Sequence, residues 1–133
     1  MAQNPSSQGT ILLVDDDKFL LDMYSVKFSN AGYQVKAADS TDLGLKILRE
    51  GFDPDVILCD ITMPGPDGLE LVSIARAEHI ANKAVVVMLT NQGSSDDIAR
   101  ARRLSVDGYI VKATTIPSEV LTEVEKIRAS KKS

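Results

Sequence analysis

The chain has 133 residues, 44% hydrophobic and 26% charged, with a formal net charge of −4 at neutral pH. That length makes one ordinary globular domain, able to bury roughly two thirds of its unfolded surface. A mild acidic balance gives no reason to expect direct binding to nucleic acid or to an anionic membrane, and no apolar run approaches the ~18 residues of a membrane span.

The first nine residues, MAQNPSSQG, are polar and carry no secretion signal. A tail over residues 1–9 is expected, and a cytoplasmic location with it. Ile11 to Val14 is a β-rich run, followed by Leu20, Met23, Tyr24, Phe28 and Ala31 at helical spacing, with Gly32 placed to stop the helix. Val35 to Ala38 is a second short strand. Ser40 then caps a helix carrying Leu43, Ile47 and Leu48 up to Gly51. Val56 to Cys59 is a third strand, and Leu69, Val72, Ile74 and Ala75 mark a third helix. The sole cysteine, Cys59, cannot form an internal disulfide and reads as a small hydrophobe in a reducing compartment. Ala84 to Leu89 is the most β-branched run. Ser95, Asp96 and Asp97 form the acidic first turn of a helix through Ile98, Ala101 and Leu104. Gly108 to Val111 is the last strand, and Pro117 opens a final helix whose stripe is Val120, Leu121, Val124 and Ile127. The terminal SKKS reads as a fraying end, residues 130–133.

Five apolar strands alternating with five helices describe an α/β fold, a parallel sheet covered on both faces. Ligands of such sheets bind beyond the carboxyl ends of the strands. There the sequence places Asp15 and Asp16 after the first strand, Asp60 after the third, Thr90 at the end of the fourth and Lys112 after the fifth. A single aspartate after a strand is usually a turn former or a helix cap. The joint pattern of acidic pair, lone carboxylate, hydroxyl and lysine is much harder to produce that way.

Three carboxylates gathered with one lysine repel one another unless a cation sits between them, and an oxygen-only set with few protein donors favours Mg²⁺. A carboxylate can act as a nucleophile toward phosphorus, and a metal, a lysine and a hydroxyl suit the charge of phosphoryl transfer. The constellation reads as a phosphorylatable aspartate with its own magnesium site.

These residues, with the segment MPGPDG and with Tyr109, resemble the receiver domain of two-component response regulators, over Thr10 to about Ala129. The resemblance implies a CheY-like, flavodoxin-like doubly wound sheet of order 2-1-3-4-5 and a receiver domain spanning 10–129; too few residues follow Ala129 for an output domain, so a stand-alone receiver and a piece of a longer protein both stay open. It implies that Asp60 is the phosphoacceptor, Asp16 a direct Mg²⁺ ligand, Asp15 an outer ligand through water, and the Thr62 backbone carbonyl a further ligand. Lys112 is then the partner of the phosphoryl oxygens. Thr90 and Tyr109 are the switch residues that change the face formed by the fourth helix, fifth strand and fifth helix. The implied donor is a sensor histidine kinase or histidine phosphotransfer protein, and the implied target is a downstream protein on that face. Monomer and phosphorylation-dependent dimer both stay open.

Three positions depart from the family pattern. Asn91 follows the switch hydroxyl, where a small residue is usual, and is a candidate gate. Ala113 replaces the proline that usually follows the lysine through a cis bond. A non-proline cis bond costs roughly 3 kcal/mol, so either that strain is held by the fold or the loop is trans and rearranged. Pro66 stiffens the loop beside Asp60. His79, with no clustered ligands, carries no role. Arg100, Arg102 and Arg103 read first as a solvated face, with partner docking as the second reading.

Three functions compete. A phosphorelay switch leads, catalysing only its own phosphorylation and dephosphorylation. A receiver-like scaffold that works without phosphorylation is the alternative, against which the intact acidic set speaks. A hydrolase of the haloacid dehalogenase kind needs an aspartate two positions after the nucleophile, and Thr62 stands there.

Overall fold

A computed structural model describes residues 8–91 and 95–132, so most of the expected N-terminal tail lies outside the described residues. In chain order the elements are β1 (Gly9–Val14), α1 (Lys18–Asn30), β2 (Tyr33–Ala38), α2 (Thr41–Arg49), β3 (Val56–Asp60), α3 (Gly68–Ala77), β4 (Val85–Thr90), α4 (Ser95–Arg103), β5 (Gly108–Val111), a short 3₁₀ turn (Lys112–Thr114) and α5 (Pro117–Lys132). The strands pair in parallel in the order β2-β1-β3-β4-β5, the expected doubly wound arrangement. β1 begins at Gly9 and α5 continues to Lys132, one and three residues past the expected 10–129 span. No helix among the described residues is long and apolar enough to cross a membrane.

Alternation along the strands divides the core in two. Leu12, Val14, Ile57, Cys59, Val86 and Met88 face one side and pack under α2, α3 and Ala101 of α4. Ile11, Leu13, Val56, Leu58, Val87, Leu89 and Ile110 face the other and pack under α1 and α5. The central strands β1, β3 and β4 are buried on both faces, which is why their sequences are continuous apolar runs.

Local chemistry sets the helix ends. Asp17 is the N-cap of α1, accepting from the Leu20 N–H at 3.1 Å, and Ser40 caps α2 through the Leu43 N–H at 3.1 Å. Gly32, just beyond α1, takes a φ of 101°, a left-handed conformation suited to glycine at a helix end. One expectation for α2 fails: Leu43 is 38% exposed, and the buried positions are Thr41, Gly44, Leu45 and Leu48. Gly44 lets the two helices approach closely, since a Cβ there would stand 2.8 Å from Leu71 Cδ1 of α3 and displace the end of that side chain.

Phe28, fully buried in α1, meets the Tyr33 ring edge-on at 5.3 Å. Phe28→Ala should lower unfolding free energy by about 3–5 kcal/mol in urea titrations. Val26→Ala, on the exposed side of the same helix, should stay within about 0.5 kcal/mol. Equal effects would mean that α1 does not bury the face described.

Candidate functional site

Sheet register brings the strand ends together before any side chain is considered. Val14 lies opposite Cys59, so Asp15 follows alongside Asp60; Asp60 lies opposite Leu89, one residue before Thr90; Thr90 lies opposite Val111, one residue before Lys112. Side-chain parity then selects which of these groups meet. Asp15 continues the series of Ile11 and Leu13, Asp60 that of Val56 and Leu58, and Lys112 that of Ile110, all on the α1/α5 side. The three therefore project into one space.

Their contacts follow from that placement. Lys112 Nζ donates to Asp15 Oδ2 at 2.9 Å and to Asp60 Oδ2 at 3.2 Å, with both carboxylates almost wholly buried. Asp15 Oδ1 accepts the Asp17 N–H at 2.9 Å, and Asp60 Oδ1 accepts the Thr62 N–H at 3.2 Å. Asp16 is exposed, and oxygens of Asp15, Asp16 and Asp60 lie within 4.8 Å of one another. An all-oxygen set of that size, with two buried anions sharing one ammonium, fits a hard divalent cation such as Mg²⁺.

Electrostatics express the same imbalance. Burial pushes the Asp60 carboxyl up, Lys112 pulls it down and Asp15 pushes it up again, leaving it at about 6. Burial works against the Lys112 ammonium, but its bond to Asp15 and its attraction to Asp60 outweigh that and hold it above the ordinary lysine value. One cation between two anions is over-compensated, while the carboxylate of Asp60 remains under-compensated. Burial also pushes the Cys59 thiol well up, so this neighbour stays an inert hydrophobe.

The other expected residues take distinct places. Thr90 is buried at the end of β4, and Asn91 beside it is exposed. Tyr109 is 37% exposed; its parity is opposite to that of Ile110, and its hydroxyl lies 3.4 Å from Arg102 Nη2 of α4. The chain leaves β5 through the 3₁₀ turn that begins at Lys112. Lys112 reaches both carboxylates from the start of that turn.

Sequence reasoning missed a second layer. Asp67 is the N-cap of α3 in a capping box with Glu70, readable as D-x-x-E. Gly68 follows it, and a Cβ there would stand 2.0 Å from the carbonyl oxygen of Asp60, so only glycine lets α3 start against the end of β3. Arg100, expected as part of a solvated face, pairs with Asp67.

Comparison with known proteins points the same way. Residues 11–125 match the family model described as the response regulator receiver domain. The chain is 29% identical over 118 residues to the phosphate regulon transcriptional regulatory protein PhoB of Pseudomonas aeruginosa, covering 89% of this chain and 51% of that protein. It is 37% identical over 106 residues to the regulator of RpoS of Escherichia coli, covering 77% of this chain and 29% of that protein. The chain thus spans about half the length, or less, of these curated relatives. Among solved structures, the Vibrio cholerae chemotaxis protein CheY4 superposes with a TM-score of 0.82 at 26% identity, over 91% of this chain and 99% of that one.

A carboxyl raised from 3.8 to about 6 binds more protons folded than unfolded. The stability that protonated Asp60 contributes is therefore full below about pH 4 and lost as pH rises through about 6. In metal-free buffer, melting temperatures should fall across that window more steeply for the parent chain than for Asp60→Asn, with the variant the more stable at pH 7. A variant less stable than the parent at pH 7 would show that Lys112, and not desolvation, dominates.

Proposed function

This chain belongs to the response regulator receiver domain family, and from that membership we propose that it is a phosphorylation switch of a two-component phosphorelay with Asp60 as phosphoacceptor. The observation that carries this reading is the Lys112 ammonium bonded at once to Asp15 and Asp60 at the mouth of the sheet. In the proposed reaction an Asp60 carboxylate oxygen forms a bond to phosphorus as the donor's phosphorus–nitrogen bond breaks, and the histidine ring leaves. Lys112 then pairs with the phosphoryl oxygens, and the Thr62 N–H keeps the carboxyl oriented. Thr90, at the neighbouring strand end, supplies a hydroxyl to the same oxygens.

Asp15, Asp16, Asp60 and the Thr62 carbonyl are the proposed holders of Mg²⁺, with Asp16 a direct ligand and Asp15 acting through water. Bound there, Mg²⁺ supplies the positive charge that phosphoryl transfer requires beyond the single lysine. The donor is a protein phosphohistidine, on a sensor kinase or a phosphotransfer protein. Exposed Phe19 and Ile116, on segments leaving the same strand ends, give the mouth a non-polar rim that such a protein can cover.

The output rests on Tyr109. Outward and bonded to Arg102, it represents the resting population; phosphorylation draws Thr90 toward the site, Tyr109 turns inward, and the α4-β5-α5 face changes shape for a downstream protein. The chain catalyses only its own phosphorylation and slow dephosphorylation. Asn91, bordering the path of an attacking water, narrows that path and prolongs the phosphorylated state.

With Mg²⁺ and acetyl phosphate, intact mass should show one added phosphoryl group on the parent chain and none on Asp60→Asn. After donor removal, Asn91→Ala should lose its phosphoryl group faster than the parent, because removing the crowding frees in-line attack. Equal labelling of Asp60→Asn would remove the phosphoacceptor assignment, and equal decay of Asn91→Ala would remove the gate.

A further inference from the structure

The fourth helix is seated by little apolar contact: Ala101 is its one buried residue. A directed polar contact takes over from it. Arg100 Nη1 lies 2.9 Å from Asp67 Oδ2 and Nη2 donates to Oδ1 at 3.2 Å, a two-pronged guanidinium–carboxylate pair, while Asp97 Oδ1 stands 3.5 Å from Nη1 and steadies the arginine from its own helix. Asp67 is a junction. Its Oδ1 also accepts the Glu70 N–H at 2.9 Å, its own N–H donates to Glu70 Oε1 at 3.1 Å, and its carbonyl accepts the Thr41 hydroxyl of α2 at 3.1 Å.

One peptide further on, Gly68 donates its N–H to the Ile61 carbonyl at 3.0 Å and packs its Cα against the backbone of Asp60 with no room for a methyl group. Residues 61–68 thus form a closed loop, pinned to Asp60 at one end and to Arg100 at the other, with Thr62 inside it. A shift of Asp67 moves the backbone that orients Asp60.

We propose that Arg100 is a positioning residue of the phosphoryl-transfer site, acting through Asp67 on the loop that carries Thr62 and abuts Asp60, so that the seat of α4 becomes part of the site's geometry. The inference rests on the phosphoryl-transfer reading of Asp60. It assigns Arg100 no contact with the donor or the phosphoryl group. The pair is partly exposed, so its contribution to overall stability is small, whereas the rate of an in-line displacement responds to sub-ångström misplacement. Lysine cannot reproduce the two-pronged contact and should restore only part of the effect.

The test uses the full chain with saturating Mg²⁺ and acetyl phosphate, and reads the donor-saturated labelling rate beside the melting temperature. Arg100→Gln and Asp67→Asn, which retains an N-cap for α3, should each slow labelling by about three- to tenfold. The double variant should be no slower than the slower single, Arg100→Lys should fall between parent and Arg100→Gln, and Arg103→Gln should match the parent. Labelling of Arg100→Gln at the parent rate, single effects that multiply in the double variant, or rates that merely track melting temperature across the set would each overturn the proposal. Failure of the parent chain to be labelled would remove the phosphoacceptor reading and this inference together. Normal parent labelling with unaffected Arg100 variants would remove this one alone.

Discussion

The ammonium of Lys112, held between the buried carboxylates of Asp15 and Asp60, is the contact on which the proposed chemistry depends. Burying three charges is costly, and the arrangement persists because each group is placed by an element with its own reason to be there. Asp15 and Asp60 are delivered by the two central strands, which are buried on both faces and locked in register. Lys112 arrives from β5 with matching parity. Asp17 takes the separate task of starting α1 and donates its N–H to Asp15, so the acidic run divides into structural and chemical parts. Two anions sharing one cation remain short of positive charge, which suits the proposed gathering of a metal ion and a phosphoryl group there.

From this centre two routes lead to the α4 side of the molecule. One runs along the sheet, where Thr90 and Tyr109 lie on adjacent strands and Tyr109 faces α4 through Arg102. The other runs through the loop after β3, from Gly68 and Asp67 to Arg100. Both end on arginines of a helix that buries one alanine. A helix seated mainly by polar tethers can change its position at little cost to the core, whereas α1 and α5, with Phe28, Val120 and Val124 fully buried, cannot. The same loose seating suits α4 to the proposed output and would make its tethers sensitive to the state of the site.

Much of this was legible in the sequence for definite reasons. Continuous apolar runs marked the doubly covered strands, and polar residues at their ends marked the mouth of the sheet. Leu43 misled because a leucine at helical spacing looks like core, whereas α2 turns Thr41, Gly44, Leu45 and Leu48 inward and leaves Leu43 exposed. Arg100 was hidden because a long side chain's partner, 33 positions away, has no periodic signature. Gly68 lay in a motif rich in turn residues, where nothing separates a glycine needed for close approach from one needed for a bend. Ala113 in place of the usual proline left the reach of Lys112 open, and the 3₁₀ turn that follows β5 delivers the ammonium to both carboxylates.

Burial, set against the attraction of Lys112, fixes the charge on Asp60. Its most direct measurement is the ¹³C shift of the Asp60 carboxyl followed against pH without divalent metal, in the parent chain and in Lys112→Met. The midpoint should fall at about 6 in the parent and higher in the variant, because the ammonium lowers the value that burial raises. A parent midpoint in the ordinary carboxylate range, or one that does not move when the ammonium is removed, would contradict it.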